Sequence, residues 1–305
     1  MKRKKDKHAY SLGAGTFYVM LIPGIIMLLI FNYLPLIGLS IAFQKFIPAK
    51  GFFGNQKWVG LDNFRYLFLL PDFTSALRNT LTISFSKIFL GLISSITFAI
   101  LLNEVRVARI KKTIQTFVYL PHFISWVILA GVFRDMMSPS YGLINRGIQA
   151  IGIEPIFFLG SNKWFQPVMI FTDNWKEFGF GAIVFLAAIT TINPSLYEAA
   201  VMDGANKFKQ IIHITLPSIV PIIILIGLLN VGNILNANFD QIFNMYSPQV
   251  YRTGDIIDTL VYRIGIIEAN YGLSTAVGFF KSLVSLVLIS SSYYSAYKFA
   301  NYRVF

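Results

Sequence analysis

The 305-residue sequence has no cysteine and little charge. Without cysteine there is no disulfide, no thiolate metal site and no cysteine nucleophile. Charged residues make up 13% of the chain, whereas a soluble domain keeps roughly a quarter of its residues charged. The three histidines, His8, His122 and His213, lie far apart and make neither a metal cluster nor a triad; structural roles are expected for them. No G-x-x-x-x-G-K-[ST] loop is present to cradle a nucleotide phosphate. There is no internal repeat and no low-complexity stretch.

What the chain has instead is apolar length. Hydrophobic residues make up 55%, mean hydropathy is +0.61, and there are 29 Phe and 15 Tyr. Six apolar segments, at 17–43, 80–102, 114–136, 165–191, 216–237 and 276–299, are each long enough to span roughly 30 Å at about 1.5 Å per residue. The fourth is interrupted by Asp173, Lys176 and Glu177. The expected fold is all-α, a polytopic membrane protein of six transmembrane helices. The first run is too long for a signal-peptide core, and no small-residue cleavage site follows it. Two parts are expected, a basic tail at 1–16 and a transmembrane domain at 17–305.

The net charge of +12 would suit nucleic acid, but its placement suits a membrane. Lys2, Arg3, Lys4, Lys5 and Lys7 directly precede the first apolar run, and the short connection 103–113 holds Arg106, Arg109, Lys111 and Lys112. The longer stretch 137–164 holds only Arg146 and Lys163. By the positive-inside rule the tail and 103–113 are cytoplasmic. An even number of spans then puts 192–217 and the C-terminus inside as well. The outer connection 44–79 carries five basic residues, but long loops weigh less in that rule. Both long outer connections, 44–79 and 238–275, are apolar enough to be ordered, as a docking surface would be.

The connection 192–217 is the most informative stretch. Asn193 or Ser195 can cap a helix, Pro194 fits its first turn, and Ser195 with Glu198 has capping-box spacing. Ala199 and Ala200 are small enough for another backbone to approach. Asp203-Gly204 ends the helix, because glycine readily takes positive φ. A second helix over about 206–213 leads to Leu216-Pro217. The product is a rigid helical elbow on the cytoplasmic side.

Its spacing resembles the Glu-Ala-Ala signature of binding-protein-dependent ABC importer permeases: Glu198-Ala199-Ala200, three residues to Gly204, and nine more to Ile214-x-Leu216-Pro217, without departure. Further stretches, Trp58-Val59-Gly60-Leu61-Asp62-Asn63-Phe64, Leu120-Pro121-His122-Phe123-Ile124-Ser125-Trp126, Gly142-Leu143-Ile144-Asn145 and Tyr271-Gly272-Leu273, resemble the maltose-type carbohydrate-uptake permeases. Within them the likeness is to the polysaccharide and oligosaccharide (lipoprotein) branch. The resemblance implies a coupling helix that seats in a cleft of an ATPase subunit, with Glu198, Ala199, Ala200, Asp203, Gly204, Ala205 and Lys207 as the coupling set. It also implies a second, similar permease, two ATPase subunits, an extracytoplasmic solute-binding protein and an oligosaccharide substrate in a bacterial cell membrane. No cofactor belongs to this chain; ATP and Mg belong to the ATPase subunits.

Ionisable residues within spans are functional candidates. Lys87, Lys176 and Lys281 lie at depths of roughly 9 to 16 Å at 1.5 Å per residue. One reading pairs them with carboxylates such as Glu177 or lets them snorkel. The other makes a cationic cavity for an acidic, uronate-containing oligosaccharide. Trp175 is either a stacking platform for sugar or a packed core residue. Asn230, Asn233 and Asn236 recur every three residues along one slowly drifting helical face, where they line the substrate path or bond neighbouring helices. The substrate-binding candidates are therefore Lys87, Trp175, Lys176, Asn230, Asn233 and Lys281. Competing functions are an ATP-independent transporter or channel, a permease for a non-sugar solute, and an intramembrane enzyme, for which no paired acids, Ser/Lys pair or metal cluster stands out.

Overall fold

The structure, a computed structural model, describes residues 7–300. The tail residues Lys2, Arg3, Lys4 and Lys5 and the C-terminal 301–305, which complete the two expected parts, lie outside the described residues.

Helix α1 (Lys7–Leu28) opens into a wide turn at Leu29–Tyr33 and a tight one at Leu34–Phe43. Pro35 lacks the N–H that would bond one turn back, which accounts for the change of winding there. Together these turns make one apolar rod over Phe17–Phe43, the bounds expected from the sequence. A two-stranded hairpin follows, β1 (Gln44–Lys45) against β2 (Lys57–Trp58). Gln56 closes its loop by donating to the Ile47 and Gly51 carbonyls and accepting from the Ile47 N–H. Helix α2 (Asp62–Leu69) caps this end, and Asn63 ties it back by donating to the carbonyls of Ala42 and Gln44.

Helix α3 (Pro71–Asn103) is 33 residues long, about 50 Å at 1.5 Å per residue, so it passes beyond a ~30 Å apolar layer. Helix α4 (Ala108–Tyr119) follows and ends in a tight turn at Leu120–Phe123. Helix α5 (Trp126–Met136) then leaves at 100°. The expected single span 114–136 is therefore a broken one. Pro121 withholds a helical donor, Ile124 and Ser125 are extended, and Ser125 Oγ accepts from the Ile128 N–H to start a new helix.

Helix α6 (Leu143–Ala150) is fixed by the buried Asn145 amide, which donates to the carbonyls of Met137, Ser138 and Ile156 and accepts from the Ile156 N–H. Helix α7 (Phe165–Thr190) packs along α3 and against α4, and small residues set both approaches. A Cβ on Gly181 would lie 2.7 Å from Ser95 Oγ, and one on Gly179 would lie 2.6 Å from the Val118 carbonyl oxygen. This is the small-residue packing that membrane helices use in place of a hydrophobic drive.

Helices α8 (Pro194–Met202) and α9 (Lys207–Gln210) form the elbow. A wide turn at Ile211–Thr215 joins α9 to α10 (Leu216–Gly232). The fifth span ends at Gly232 rather than 237, so Asn230, Asn233 and Asn236 do not continue one helical row. Asn233 closes the helix and Asn236 lies in the turn beyond. The long connection that follows is ordered into α11 (Phe239–Met245), α12 (Tyr251–Gly254) and α13 (Ile257–Tyr262) before α14 (Tyr271–Ala300) returns beside α10. Arg263 fastens this cap, donating to Asp255 Oδ2 at 2.6 Å and to Asp72 Oδ2 at 3.2 Å. Burial pushes the Asp255 carboxyl up from its ordinary range, against the pull of Thr259 and Arg263.

Among the described residues four helices are long and apolar enough to cross a membrane, and the number is six when each of two bent pairs, α4 with α5 and α7 with α8, is taken as one span. The described architecture is all-α apart from the hairpin. Its core is divided among three clusters, around Phe165 and Ile242, around Leu67 and Leu260, and around Phe185 and Ile219.

Candidate functional site

A cavity of about 630 Å³ opens between α3, α7 and α10 and the turn after α10. Lys87 sits at its edge. Its ammonium donates to Asp173 Oδ1 at 3.1 Å, to the Ala237 carbonyl at 2.9 Å and to Gln241 Oε1. All three of its N–H donors are used, so its charge is matched by Asp173 and its position is fixed. Asn238 Nδ2 also donates to Asp173, at 3.2 Å. Gln241, whose own amide donates to the Met169 carbonyl and Thr172 Oγ1, closes a buried network across α3, α7 and α11.

Asn230, Asn233 and Asn236 line the cavity with Asn174, Glu177 and Asp240. The wall is rich in amides that can both donate and accept, as a hydroxyl-rich ligand requires. Of the six substrate candidates, the structure brings Lys87, Asn230 and Asn233 to this cavity. The other three lie elsewhere. Lys176 is only 5% exposed; it donates to the His122 carbonyl at 2.5 Å and to Glu177 Oε1 at 3.1 Å, and so holds α7 to the break between α4 and α5. His122 joins the same knot, with Nδ1 2.7 Å from Glu177 Oε2 and its ring stacked on Phe180 at 3.9 Å. Trp175 lies edge-on to Phe133 on another side of α7. Lys281 pairs with Asp258 at 2.5 Å and joins α14 to α13.

Each intramembrane lysine singled out from the sequence therefore has a carboxylate partner. Pairing with carboxylates such as Glu177 is one of the two expectations above, and Glu177 does take Lys176. Asp173 and Asp258 as the partners of Lys87 and Lys281, and Gln241 and Asn174 at the site, are not among those expectations. The available signal was charge balance between spans, since Lys87 is the one charged residue of the run 80–102, while the run 165–191 holds two carboxylates, Asp173 and Glu177, against one lysine, Lys176.

At the other end stands the elbow. Asn193 Oδ1 accepts from the Ser195 N–H, so Asn193 is the cap, with Pro194 in the first turn of α8. Gly204 has φ +74° and the Ala205 N–H donates to the Ala200 carbonyl, which ends α8 in the left-handed turn expected of a glycine. Asn206 then caps α9. Glu198, Ala199, Asp203, Gly204 and Lys207 are exposed, and Ala200 and Ala205 are half-buried. Around them Leu196, Val201, Met202 and Phe208 also face outward, Met202 at 87% exposure. The elbow is firmly attached to what lies behind it. Tyr197 shares a 2.9 Å hydrogen bond with Thr215 and Lys207 pairs with Glu104 at 2.9 Å, while Gln210 braces the elbow internally by donating to the Ala205 carbonyl. The Lys207 contact also sets the elbow at the same end as the basic connection after α3.

Comparison with known proteins agrees with this layout. Residues 87–300 match the family described as binding-protein-dependent transport system inner membrane component. Protein LplB of Bacillus subtilis strain 168 is 43% identical over 97% of this chain and 96% of its own length. The polygalacturonan/rhamnogalacturonan transport system permease protein YteP of the same organism is 40% identical over 94% of this chain and 89% of its own. Among solved structures, a chain of a bacterial alginate ABC transporter in complex with alginate pentasaccharide-bound periplasmic protein superposes with a TM-score of 0.88. It is 39% identical and the match covers 98% of this chain and 100% of that one. With its cavity between spans, its exposed elbow and this likeness along nearly its whole length, the chain belongs to the binding-protein-dependent transport system inner membrane components, the permeases of ABC importers.

Proposed function

We propose that this chain is one of two permease subunits of an ATP-driven importer for an acidic oligosaccharide, with the elbow and both termini on the cytoplasmic side. The observation that carries the reading is the elbow over 192–217, exposed outward, with Tyr197 bonded to Thr215 at the start of α10 and Lys207 paired with Glu104 at the end of α3, two of the helices that line the cavity. In this reading the elbow seats in an ATPase subunit through Glu198, Ala199, Ala200, Asp203, Gly204, Ala205 and Lys207. ATP and Mg bind on those ATPase subunits, and this chain is not an enzyme. The orientation is supported by the basic residues of 103–113, which lie beside the elbow.

The acidic cargo is supported by the relatives, whose names and titles give polygalacturonan, rhamnogalacturonan and alginate. It is not supported by Lys87, Lys176 and Lys281, whose charges are matched within the chain. Asn230 and Asn233 serve sugar hydroxyls in the cavity, while Lys87 braces its wall.

The test is uptake by vesicles holding this chain with its second permease, two ATPase subunits and binding protein. ATP-dependent entry of an oligogalacturonate is expected. Equal uptake by the chain alone, without ATPase subunits, would instead establish an ATP-independent transporter.

A further inference from the structure

A second, smaller cavity of about 420 Å³ opens at the end opposite the elbow, between the first turns of α3 and α7 and the short helix α12. Its lining differs in kind from that of the large cavity, because every lining residue is polar. Three are cations, Arg78, Lys163 and Arg252, and among the described residues none that lines it is a carboxylate. The nearby carboxylates, Asp72 and Asp255, are both engaged by Arg263.

The floor is rigid. Asn79, 4% exposed, donates to the carbonyls of Arg252 and Asp255 and accepts from Gln166 Nε2, which also donates to the Thr253 carbonyl. Thr253 Oγ1 donates in turn to Asn162 Oδ1. These bonds satisfy the floor among its own members. Left facing the opening are the two guanidiniums and the ammonium, exposed and without an ion pair among the described residues. Guanidiniums bind a carboxylate through paired, charge-assisted hydrogen bonds. The first turn of α7 points the positive end of a 26-residue helix the same way.

On α3 the pocket residues Ser75, Arg78, Asn79 and Thr82 share one face, and Ser84, Lys87 and Gly91 line the large cavity. Ser75 and Ser84 are nine residues apart, half a turn out of phase at 3.6 residues per turn. The two sites therefore lie on opposite sides of the helix and are separate.

From this, and resting on the proposed oligosaccharide import, we infer that the outer pocket is an accessory anion site that holds one uronate unit of the acidic cargo at the binding-protein end of the permease. The hydroxyls of Ser75 and Thr82 meet the sugar ring and the cations meet its carboxylate. The volume suits a single sugar unit, small-ligand pockets starting at about 300 Å³. A phospholipid fits less well, because among the described residues no apolar one lines the pocket to receive its acyl chains.

The test is binding of a galacturonate trisaccharide, and of its uncharged methyl ester, to the assembled transporter in detergent without phospholipid. The wild type is expected to bind the acid with a salt-sensitive affinity. Arg78→Gln with Arg252→Gln, which removes no hydrogen bond of the fold, is expected to weaken that binding roughly tenfold through lost charge-assisted contacts. The ester's affinity stays unchanged, and Arg78→Lys with Arg252→Lys recovers most of the loss. Acid binding that is absent in the wild type, or untouched by the Gln pair, or lowered equally for the ester, overturns the inference. So does a loss seen only after anionic phospholipid is added back, which would mark a headgroup site. Uptake measured in parallel separates the two claims: binding that depends on the arginines, without ATP-driven uptake of the acid, would refute the proposed transport and leave the pocket standing.

Discussion

Lys87 has three N–H donors, and the fold supplies Asp173, the Ala237 carbonyl and Gln241 as acceptors. Its side chain is 8% exposed and that of Asp173 is 16% exposed. Removing one partner from such a pair strands the other, at a cost of about 3–5 kcal/mol. Lys87→Met is therefore expected to lower the melting temperature of the detergent-purified protein by roughly 5–10 °C. Adding Asp173→Asn should return at least half of that, because the stranded charge is gone while an oxygen remains for the Asn238 amide. A double variant as unstable as Lys87→Met would show that charge matching is not what Lys87 does. The same residue shows what can be read from a sequence. That Lys87, Asn230 and Asn233 stand out in apolar runs was legible from their polarity alone, and all three line the cavity. Which groups match Lys87 was not legible, because Asp173 and Gln241 lie 86 and 154 residues away in sequence. Trp175 and Lys176 share a helix with Asp173, but which of them faces the cavity depends on the rotation of α7. Contacts at Trp126, His122 and Phe133 set that rotation.

Among the elements, the elbow was legible nearly to the residue, because caps and glycine turns are local chemistry. Asn193, Pro194, Gly204 and Asn206 act where they stand. A Cβ on Gly204 would meet nothing within 4 Å, so its φ of +74° is the whole constraint. The left-handed backbone costs a branched residue about 1–2 kcal/mol and asparagine much less. Gly204→Val is expected to abolish ATP-driven uptake while membrane insertion and binding-protein affinity persist, and Gly204→Asn to retain most of the uptake. Loss in both variants would mean that space against the ATPase subunit, not backbone shape, selects glycine. Lys207 differs from Gly204 in this respect. Its pair with Glu104 is exposed, at 59% and 38%, and such pairs contribute about 0–1 kcal/mol. Lys207→Ala should leave the melting temperature within about 3 °C of the wild type. Less legible was the 100° break between α4 and α5. Hydropathy is blind to direction, and a proline within an apolar run is compatible with either a straight span or a bend. The early end of α10 was hidden for the same reason, since apolar residues continue past Gly232 through the turn.

For the molecule as a whole, the telling feature is what the chain leaves uncovered. The apolar rod over Phe17–Phe43 has only Ala42 buried within the chain. Lipid or a second permease must cover it, and the proposed pair of permeases assigns part of it to the partner. The absence of native cysteine makes this directly testable. Cysteines introduced singly at Phe31 and Leu36, both exposed and apolar, should include at least one that cross-links to the second permease; reaction with neither would leave the rod to lipid. The transport account itself rests on force passing from an ATPase subunit into α8 and on to the helices around Lys87 and Asn230. Met202, at 87% exposure the outermost apolar residue of the elbow, is the place to test it. In the assembled transporter, Met202→Cys should form a disulfide with a cysteine placed in the facing cleft of the ATPase subunit, resist a membrane-impermeant maleimide applied from outside intact cells, and lose uptake on oxidation and regain it on reduction. Labelling of that cysteine from outside, or uptake unchanged by a complete cross-link, would contradict the account.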